Sequence, residues 1–213
     1  MKIKDVTKYL ESIAPSSYQE SYDNAGLIVG NSNAEVTGVL CCLDSTEAII
    51  DEAIELKCNL VVAHHPIVFK GLKRFTGKNY VERTVIKAIK NDIAIFAIHT
   101  NLDNVYKNGV NGKIAEKLGL INTEILAPKK DIPNENKEIG SGMLGYLAKP
   151  MTERDFLKYL KTTMQVGCVK YTQLLQKDIH KVAVCGGSGG FLLKNAIAQK
   201  ADIFITADYK YHE

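Results

Sequence analysis

Residues 60–66, Leu-Val-Val-Ala-His-His-Pro, decide the fold prediction for this chain. The four apolar residues predict a buried strand, and the proline stops it directly after two histidines. Because neighbouring strand residues point to opposite faces, His64 and His65 can serve two metal ions, or one ion once the chain bends. A strand that ends in such side chains indicates a site at the carboxyl edge of an α/β sheet.

A second apolar run, residues 93–98, ends in the same way. The polar segment His-Thr-Asn-Leu-Asp follows it at residues 99–103. Asp103 offers a carboxylate ligand. His99 can instead hold a ligand in position without binding the metal itself, or act as a proton shuttle. Imidazole and carboxylate together suit zinc, manganese, iron, cobalt or nickel, so the sequence predicts a metal site without naming the ion.

Composition excludes several protein classes. The chain has 213 residues, enough for one or two domains, and 46% hydrophobic with 24% charged residues is ordinary for a globular protein. Its net charge of +3 is too small to argue for nucleic-acid binding. No apolar segment is long enough to span a membrane and no secretory signal is visible, so we expect a cytoplasmic protein without membrane contact. The five cysteines form no Cys-x-x-Cys pair and are interpreted as reduced core residues.

Strands alternate with helices along the whole chain, which predicts an α/β fold with mainly parallel sheets. We expect two similar α/β lobes facing a central metal cleft. The first lobe spans 1–127 and carries His64, His65 and Asp103, and the second spans 143–213. The polar stretch 128–142 is interpreted as a linker or insertion point.

An internal similarity supports two related lobes. When the first half is shifted by 143 positions, residues 60–62 fall on residues 203–205, and His64-His65 falls on Ala207-Asp208. Duplication of one βαβ unit explains this match, and chance alignment of two generic units explains it equally well.

Asp23 and Asn24 precede a glycine-bounded strand. As structure they form a turn, which their spacing alone favours. As function they would line the cleft or orient a ligating histidine from behind.

The glycine-rich segment Gly186-Gly187-Ser188-Gly189 lies where a strand gives way to a helix, and its amides can approach an anion. It formally matches the Gly-x-Ser-x-Gly elbow of serine hydrolases. Those enzymes need an acid and then a histidine after the serine, and here the only later histidine is His212. A turn that holds a phosphate or carboxylate of the substrate is the better interpretation.

Five motifs in order resemble the Nif-three-like family, whose members are often named GTP cyclohydrolase I type 2 homologues. They are Tyr22-Asp23-Asn24-Ala25-Gly26-Leu27, Ala63-His64-His65-Pro66, His99-Thr100-Asn101-Leu102-Asp103, Val184-Cys185-Gly186-Gly187-Ser188-Gly189 and Asp208-Tyr209-Lys210-Tyr211-His212.

The resemblance implies a two-lobed α/β fold, a centre of two divalent metal ions and a ring-shaped homohexamer. It carries the ligand role to His64, His65 and Asp103. The family's remaining ligands, a downstream His-x-x-x-Glu pair, have no match here, so we expect a chain truncated at its C-terminus. The resemblance gives His212 no ligand role, and residues 129–137 stand where many members carry an inserted domain.

Two functions from different classes follow from these expectations. The first is a metal-dependent hydrolase that acts on a nucleotide-like or other anionic substrate. The second is a non-catalytic, ring-forming metal-binding protein that acts through a regulatory protein or nucleic acid. A metal-storage protein is a third interpretation, and the sequence does not separate the three.

Overall fold

The computed structural model describes residues 1–129 and 138–210. By its internal contacts the chain divides into two compact units, Met1–Leu102 (unit 1) and Asp103–Glu213 (unit 2). No helix in the described ranges is long and apolar enough to cross a membrane.

Unit 1 contains a four-stranded sheet in the order β1-β4-β3-β2. Strands β2, β3 and β4 run parallel, and β1 pairs with β4 in the antiparallel direction. The elements are α1 Ile3–Ile13, β1 Gly26–Val29, β2 Val39–Asp44, α2 Glu47–Glu55, β3 Leu60–His65, α3 Tyr80–Lys90 and β4 Ala94–Ala97, and the short helix α4 Thr100–Asp103 crosses the boundary between the units.

The two central strands of unit 1 are its most buried segments. All four residues of β4 are buried, and so are the first four of β3. Apolar residues of α2 and α3, among them Ile50, Ala53, Val85 and Ala88, pack on this sheet. Burial on both faces explains why these strands read as continuous apolar runs rather than alternating ones.

Unit 2 contains a second four-stranded sheet in the order β5-β6-β7-β8. Its pairings β5–β6 and β6–β7 are antiparallel, and only β7–β8 is parallel. The elements are α5 Val110–Lys117, β5 Ile121–Pro128, β6 Gly140–Thr152, α6 Glu153–Met164, β7 Asp178–Ser188, α7 Leu193–Ala198 and β8 Ile203–Asp208. The α/β prediction is confirmed, but both sheets are mixed, and the second is not mainly parallel because its first three strands follow one another through antiparallel pairing.

Both faces of the second sheet are covered. Val182 and Val184 face a core that includes Phe156 of α6, whereas Ala183 and Cys185 face the core that includes α7. This two-residue alternation is the ordinary consequence of strand geometry.

The predicted lobes, 1–127 and 143–213, stay a prediction, and by internal contacts the chain divides at residue 102. Ala115, Leu118 and Ile125 share a core with Val182 of β7, so the segment after residue 102 packs with the second sheet. The predicted linker at 128–142 connects β5 to β6, because Pro128 pairs with Gly140 across that hairpin. Residues 130–137 of that linker lie outside the described residues.

The internal similarity reappears in the strand register. In unit 1, Val39 pairs with Leu60 and Cys42 with Ala63; in unit 2, Val182 pairs with Ile203 and Cys185 with Thr206. Each pair in unit 2 lies 143 positions after its counterpart (39 + 143 = 182 and 60 + 143 = 203). The segments β2-α2-β3 and β7-α7-β8 are therefore similar parallel βαβ units whose registers agree over these pairs. They differ at the strand ends, where Asp44 pairs with His65 but Ser188 pairs with Asp208.

Glu82 fixes the segment that follows β3. Its carboxylate accepts hydrogen bonds from the Thr76 amide (2.8 Å), the Thr76 hydroxyl (2.9 Å) and the Lys78 amide (3.1 Å). These bonds, above all those from the two backbone amides, hold the pKa of the Glu82 carboxyl below its ordinary value.

We predict that Glu82→Gln lowers the melting temperature at neutral pH, and that the difference from the parent protein shrinks on acidification. The folded-state pKa lies below the unfolded-state value, so the carboxylate's contribution is present above the unfolded pKa and is lost as pH falls through the folded pKa. Thermal unfolding followed by circular dichroism from neutral to acidic pH measures this. Glu52→Gln, at an exposed position of α2, is the matched control, and an equal effect of both changes at every pH would contradict the prediction.

Candidate metal centre

Three histidines of unit 1 come together at the carboxyl ends of β3 and β4. The ring centroids are 4.9 Å apart for His64 and His65, 5.3 Å for His64 and His99, and 5.5 Å for His65 and His99. One ring nitrogen from each histidine lies within 4.8 Å of the other two. The parallel pairing of β3 with β4 brings the two strand ends to one edge of the sheet. At these distances the three histidines could hold a metal ion.

The first two histidines each have one ring nitrogen engaged by an oxygen. His64 Nδ1 lies 2.9 Å from the Ile98 carbonyl oxygen, and His65 Nδ1 lies 2.8 Å from Asp44 Oδ1. A carbonyl or carboxylate oxygen only accepts, so Nδ1 carries the hydrogen in both rings. The Nε2 atoms are then left with the lone pair that a metal ion requires.

His99 follows the same pattern, with a more buried acceptor. Its Nδ1 lies 2.8 Å from Oδ1 of Asp23, whose side chain is fully buried. The other Asp23 oxygen accepts from the backbone amide of Thr100 at 3.0 Å and from the Thr100 hydroxyl. All three rings are thus oriented by oxygen acceptors, the arrangement typical of metal-binding imidazoles.

The electrostatics of His64 favour an uncharged ring. Burial, followed by the neighbouring rings of His65 and His99, lowers the pKa of His64 below its ordinary value. Burial is the largest effect on Asp23 and raises its pKa, but hydrogen bonds from His99, Thr100 and the Asn24 amide together outweigh it and lower the pKa. A neutral imidazole backed by an ionised carboxylate is the form that binds a cation.

Asp44 contacts His65, and the sequence alone does not predict this contact. From its position before the predicted helix, either Asp44 or Ser45 is a candidate cap, but Thr46 caps α2 by accepting from the Ile49 amide. Asp44 instead pairs in register with His65 across the parallel strands β2 and β3. The available signal was that both strands end in a polar residue after an apolar run.

Asp23 contacts His99 directly, and Asn24 has a different position. The Asn24 side chain donates to the carbonyl oxygen of Val68 at 2.6 Å, in the segment that follows β3. The two residues therefore do more than form a turn, since they join it to the ends of two other strands. A role in ligand binding stays a prediction for both.

Asp103 is the last residue of α4 and belongs to unit 2. Its carbonyl oxygen accepts from Asn111 Nδ2 at 3.0 Å. Burial first, and then the Asp103 charge, raise the pKa of the Cys185 thiol to about 12. The ligand role of Asp103 stays a prediction.

The glycine turn of unit 2 uses part of its backbone internally. The amide of Gly186 donates to Asn111 Oδ1 and that of Gly189 to Thr206 Oγ1, both at 2.8 Å. A Cβ on Gly189 would lie 2.6 Å from the Cβ of Cys185, which explains the glycine there. The anion-binding role of residues 186–189 stays a prediction, and His212 lies outside the described residues.

Comparisons with known proteins agree with one another. The family model described as Duf34/NIF3 (NGG1p interacting factor 3) matches residues 1–213. A Clostridium acetobutylicum protein named GTP cyclohydrolase 1 type 2 homolog is 36% identical over 100% of this chain and 78% of its own length.

Two solved structures extend the likeness to the fold. The Staphylococcus aureus protein SA1388 matches with a TM-score of 0.89 and 32% identity, over 100% of this chain and 81% of that one. A Bacillus cereus protein related to NIF3 matches with a TM-score of 0.90 and 28% identity, over 100% of this chain and 84% of its own. The chain therefore belongs to the Duf34/NIF3 family.

Proposed function

We propose that this protein is a metal-dependent hydrolase with a dinuclear divalent-metal centre. The observation that carries the proposal is that His64, His65 and His99 each have Nδ1 held by an oxygen, and that one ring nitrogen of each lies within 4.8 Å of the other two. Imidazole donors suit zinc, manganese, iron, cobalt or nickel.

The dinuclear form of the centre rests on the family resemblance, which gives His64, His65 and Asp103 as ligands. A divalent ion held there would supply a hydroxide nucleophile at neutral pH and would polarise the bond under attack. His99 has two proposed roles, a third nitrogen ligand or a proton shuttle. Its buried Asp23 partner supports either role, since it stabilises the positive charge that a proton or an ion brings.

The substrate we propose is nucleotide-like or otherwise anionic. The relatives' name, GTP cyclohydrolase 1 type 2 homolog, supports a nucleotide. In unit 2, Gly187 and Ser188 are exposed at the end of β7, where their amides could contact a phosphate or carboxylate. We place the protein in the cytoplasm as a homohexamer, as expected from its sequence and its family resemblance.

A second function is a non-catalytic ring that binds metal and acts through a protein or nucleic-acid partner. The observation that favours it is the family's description as an interacting factor of NGG1p. Under this alternative, metal binds but no nucleotide or phosphoester is turned over. Strongly salt-dependent DNA binding by the purified protein would support it.

We predict that His64→Ala and Asp103→Ala each lower the bound metal while leaving the melting curve largely unchanged. Each change removes one donor at a half-buried position and opens no core cavity. Elemental analysis of protein purified without chelator measures the metal. His180→Ala, at an exposed histidine outside the group, is the control. Unchanged metal content in both His64→Ala and Asp103→Ala would contradict the proposed site.

His99→Ala separates the two roles of that residue. Loss of metal together with turnover identifies a ligand, whereas full metal content with lost turnover identifies the proton shuttle.

We predict that Asp44→Ala weakens metal binding by about 10- to 100-fold, because His65 loses the acceptor that fixes its ring. Asp44→Asn keeps an oxygen acceptor without the charge and should have a smaller effect. Competition with a chromophoric chelator gives the affinities. Asp178→Asn, at an exposed carboxylate of unit 2, is the control, and equal affinity for Asp44→Ala and the parent would show that this contact does not support a ligand.

We predict that Ser188→Ala leaves hydrolysis nearly unchanged. In the proposed chemistry water is the nucleophile, and Ser188 contributes only through its backbone. Steady-state rates on a nucleotide or phosphoester that the parent protein hydrolyses are the measurement, and complete loss of turnover would point to a serine nucleophile instead.

A further inference from the structure

The segment after β3 has an unusual composition. Residues 69–78, Phe-Lys-Gly-Leu-Lys-Arg-Phe-Thr-Gly-Lys, carry four positive charges and no acidic residue, and we call this segment the basic loop. Lys70, Lys73, Arg74 and Lys78 are all exposed. Within the described part of the chain, no hydrogen bond or ion pair engages these four side chains. Four unpaired cations on ten residues attract an anion with several charges.

The basic loop is held at both ends. Before it, the carbonyl oxygen of Val68 accepts from Asn24. Near its far end, Glu82 binds the amides of Thr76 and Lys78. Ordered backbone at both ends presents the cations in a fixed place, which lowers the entropy cost of binding a ligand.

Apolar side chains also attach the loop to unit 1. Leu72 and Phe75 line a groove together with Leu27 and Ile89. Leu72 and Phe75 thus border this groove, while the cations of the loop stay at the surface. This division of the side chains explains how so charged a segment stays against the unit.

The start of the basic loop lies beside the three histidines. The ring centroid of Phe69 is 6.4 Å from that of His99 and 6.2 Å from that of Tyr22. Phe69 is 46% exposed, and Tyr22 is also exposed. Exposed aromatic faces next to a cationic segment are the combination that binds a heterocyclic base joined to phosphate.

We propose that the basic loop is the nucleotide-recognition element of this protein. Lys70, Lys73 and Arg74 contact the phosphates. Phe69 and Tyr22 stack on the base beside the histidine group. This inference rests on the proposed function and names the residues that select its substrate class, a nucleoside phosphate.

The test is binding of a fluorescent N-methylanthraniloyl derivative of GTP to the full chain, in chelator and at low ionic strength. The triple variant Lys70→Ala/Lys73→Ala/Arg74→Ala should bind at least about tenfold more weakly, since contacts to charged groups are lost. Phe69→Ala should cost at least about fivefold through lost stacking. The single variants Lys73→Gln and Arg74→Gln report the same contacts should the triple variant fail to fold.

Two matched variants control for charge. Lys70→Arg/Lys73→Arg/Arg74→Lys keeps the loop charge and should bind within about threefold of the parent, because ammonium and guanidinium groups both pair with phosphate. Lys8→Ala/Lys177→Ala/Lys194→Ala removes the same charge at exposed sites elsewhere and should leave the affinity nearly unchanged.

Equal affinity of the folded triple variant and the parent would overturn the proposal, as would equal losses in the triple variant and the remote variant. A labelled oligothymidine that binds the parent more tightly than the nucleotide would also overturn it, because the loop would then recognise a nucleic-acid strand. Binding in chelator does not need metal. Failure of the metal centre in elemental analysis and failure of the loop in this assay are therefore distinct results.

Discussion

The parallel pairing of β3 with β4 in the interior of unit 1 is the constraint on which the candidate site depends. Leu60 to Ala63 and Ala94 to Ala97 lie side by side with no exposed face, so neither strand can slide without moving apolar side chains into water. That fixed register sets where each strand ends. His64 and His65 are the last residues of β3, and His99 comes just after β4. The sheet, rather than the loops, therefore brings the three histidines together.

The carboxylate of Asp23 helps to fix the geometry of the histidine group. Asp23 is fully buried, yet four hydrogen bonds from its neighbours favour its ionised state. A buried carboxylate without such partners would take up a proton instead. The Asp23 turn and the His99 segment thus stabilise each other, and unit 1 carries a polar cluster that forms only when β1 and β4 are both in place.

The sequence predicted the α/β class, most strands and the approach of two histidine-bearing strand ends, because long apolar runs and proline stops are local signals. It did not predict that β5 and β6 pair as a hairpin, since the polar run between them resembles a linker. The sequence favours Asp44 or Ser45 as a helix cap, because it does not reveal that His65, 21 residues further on, is the partner of Asp44. Such pairings depend on strand order, which a single sequence does not display. The carbonyl oxygen of Asp103 accepts a hydrogen bond from Asn111 of unit 2, a contact that the hydrophobic periodicity of the sequence does not indicate.

The register of β2 against β3 has a consequence for length variation in this family. Between Asp44 and His65 the chain must cover a fixed path through one helix. One residue more or less in β3 would move each of the two histidines, His64 and His65, to the other face of the sheet. Insertions and deletions should therefore be rare in that segment. The connection between Pro128 and Gly140 only has to join two neighbouring strand ends, so it is a place where evolution can add sequence without disturbing either sheet.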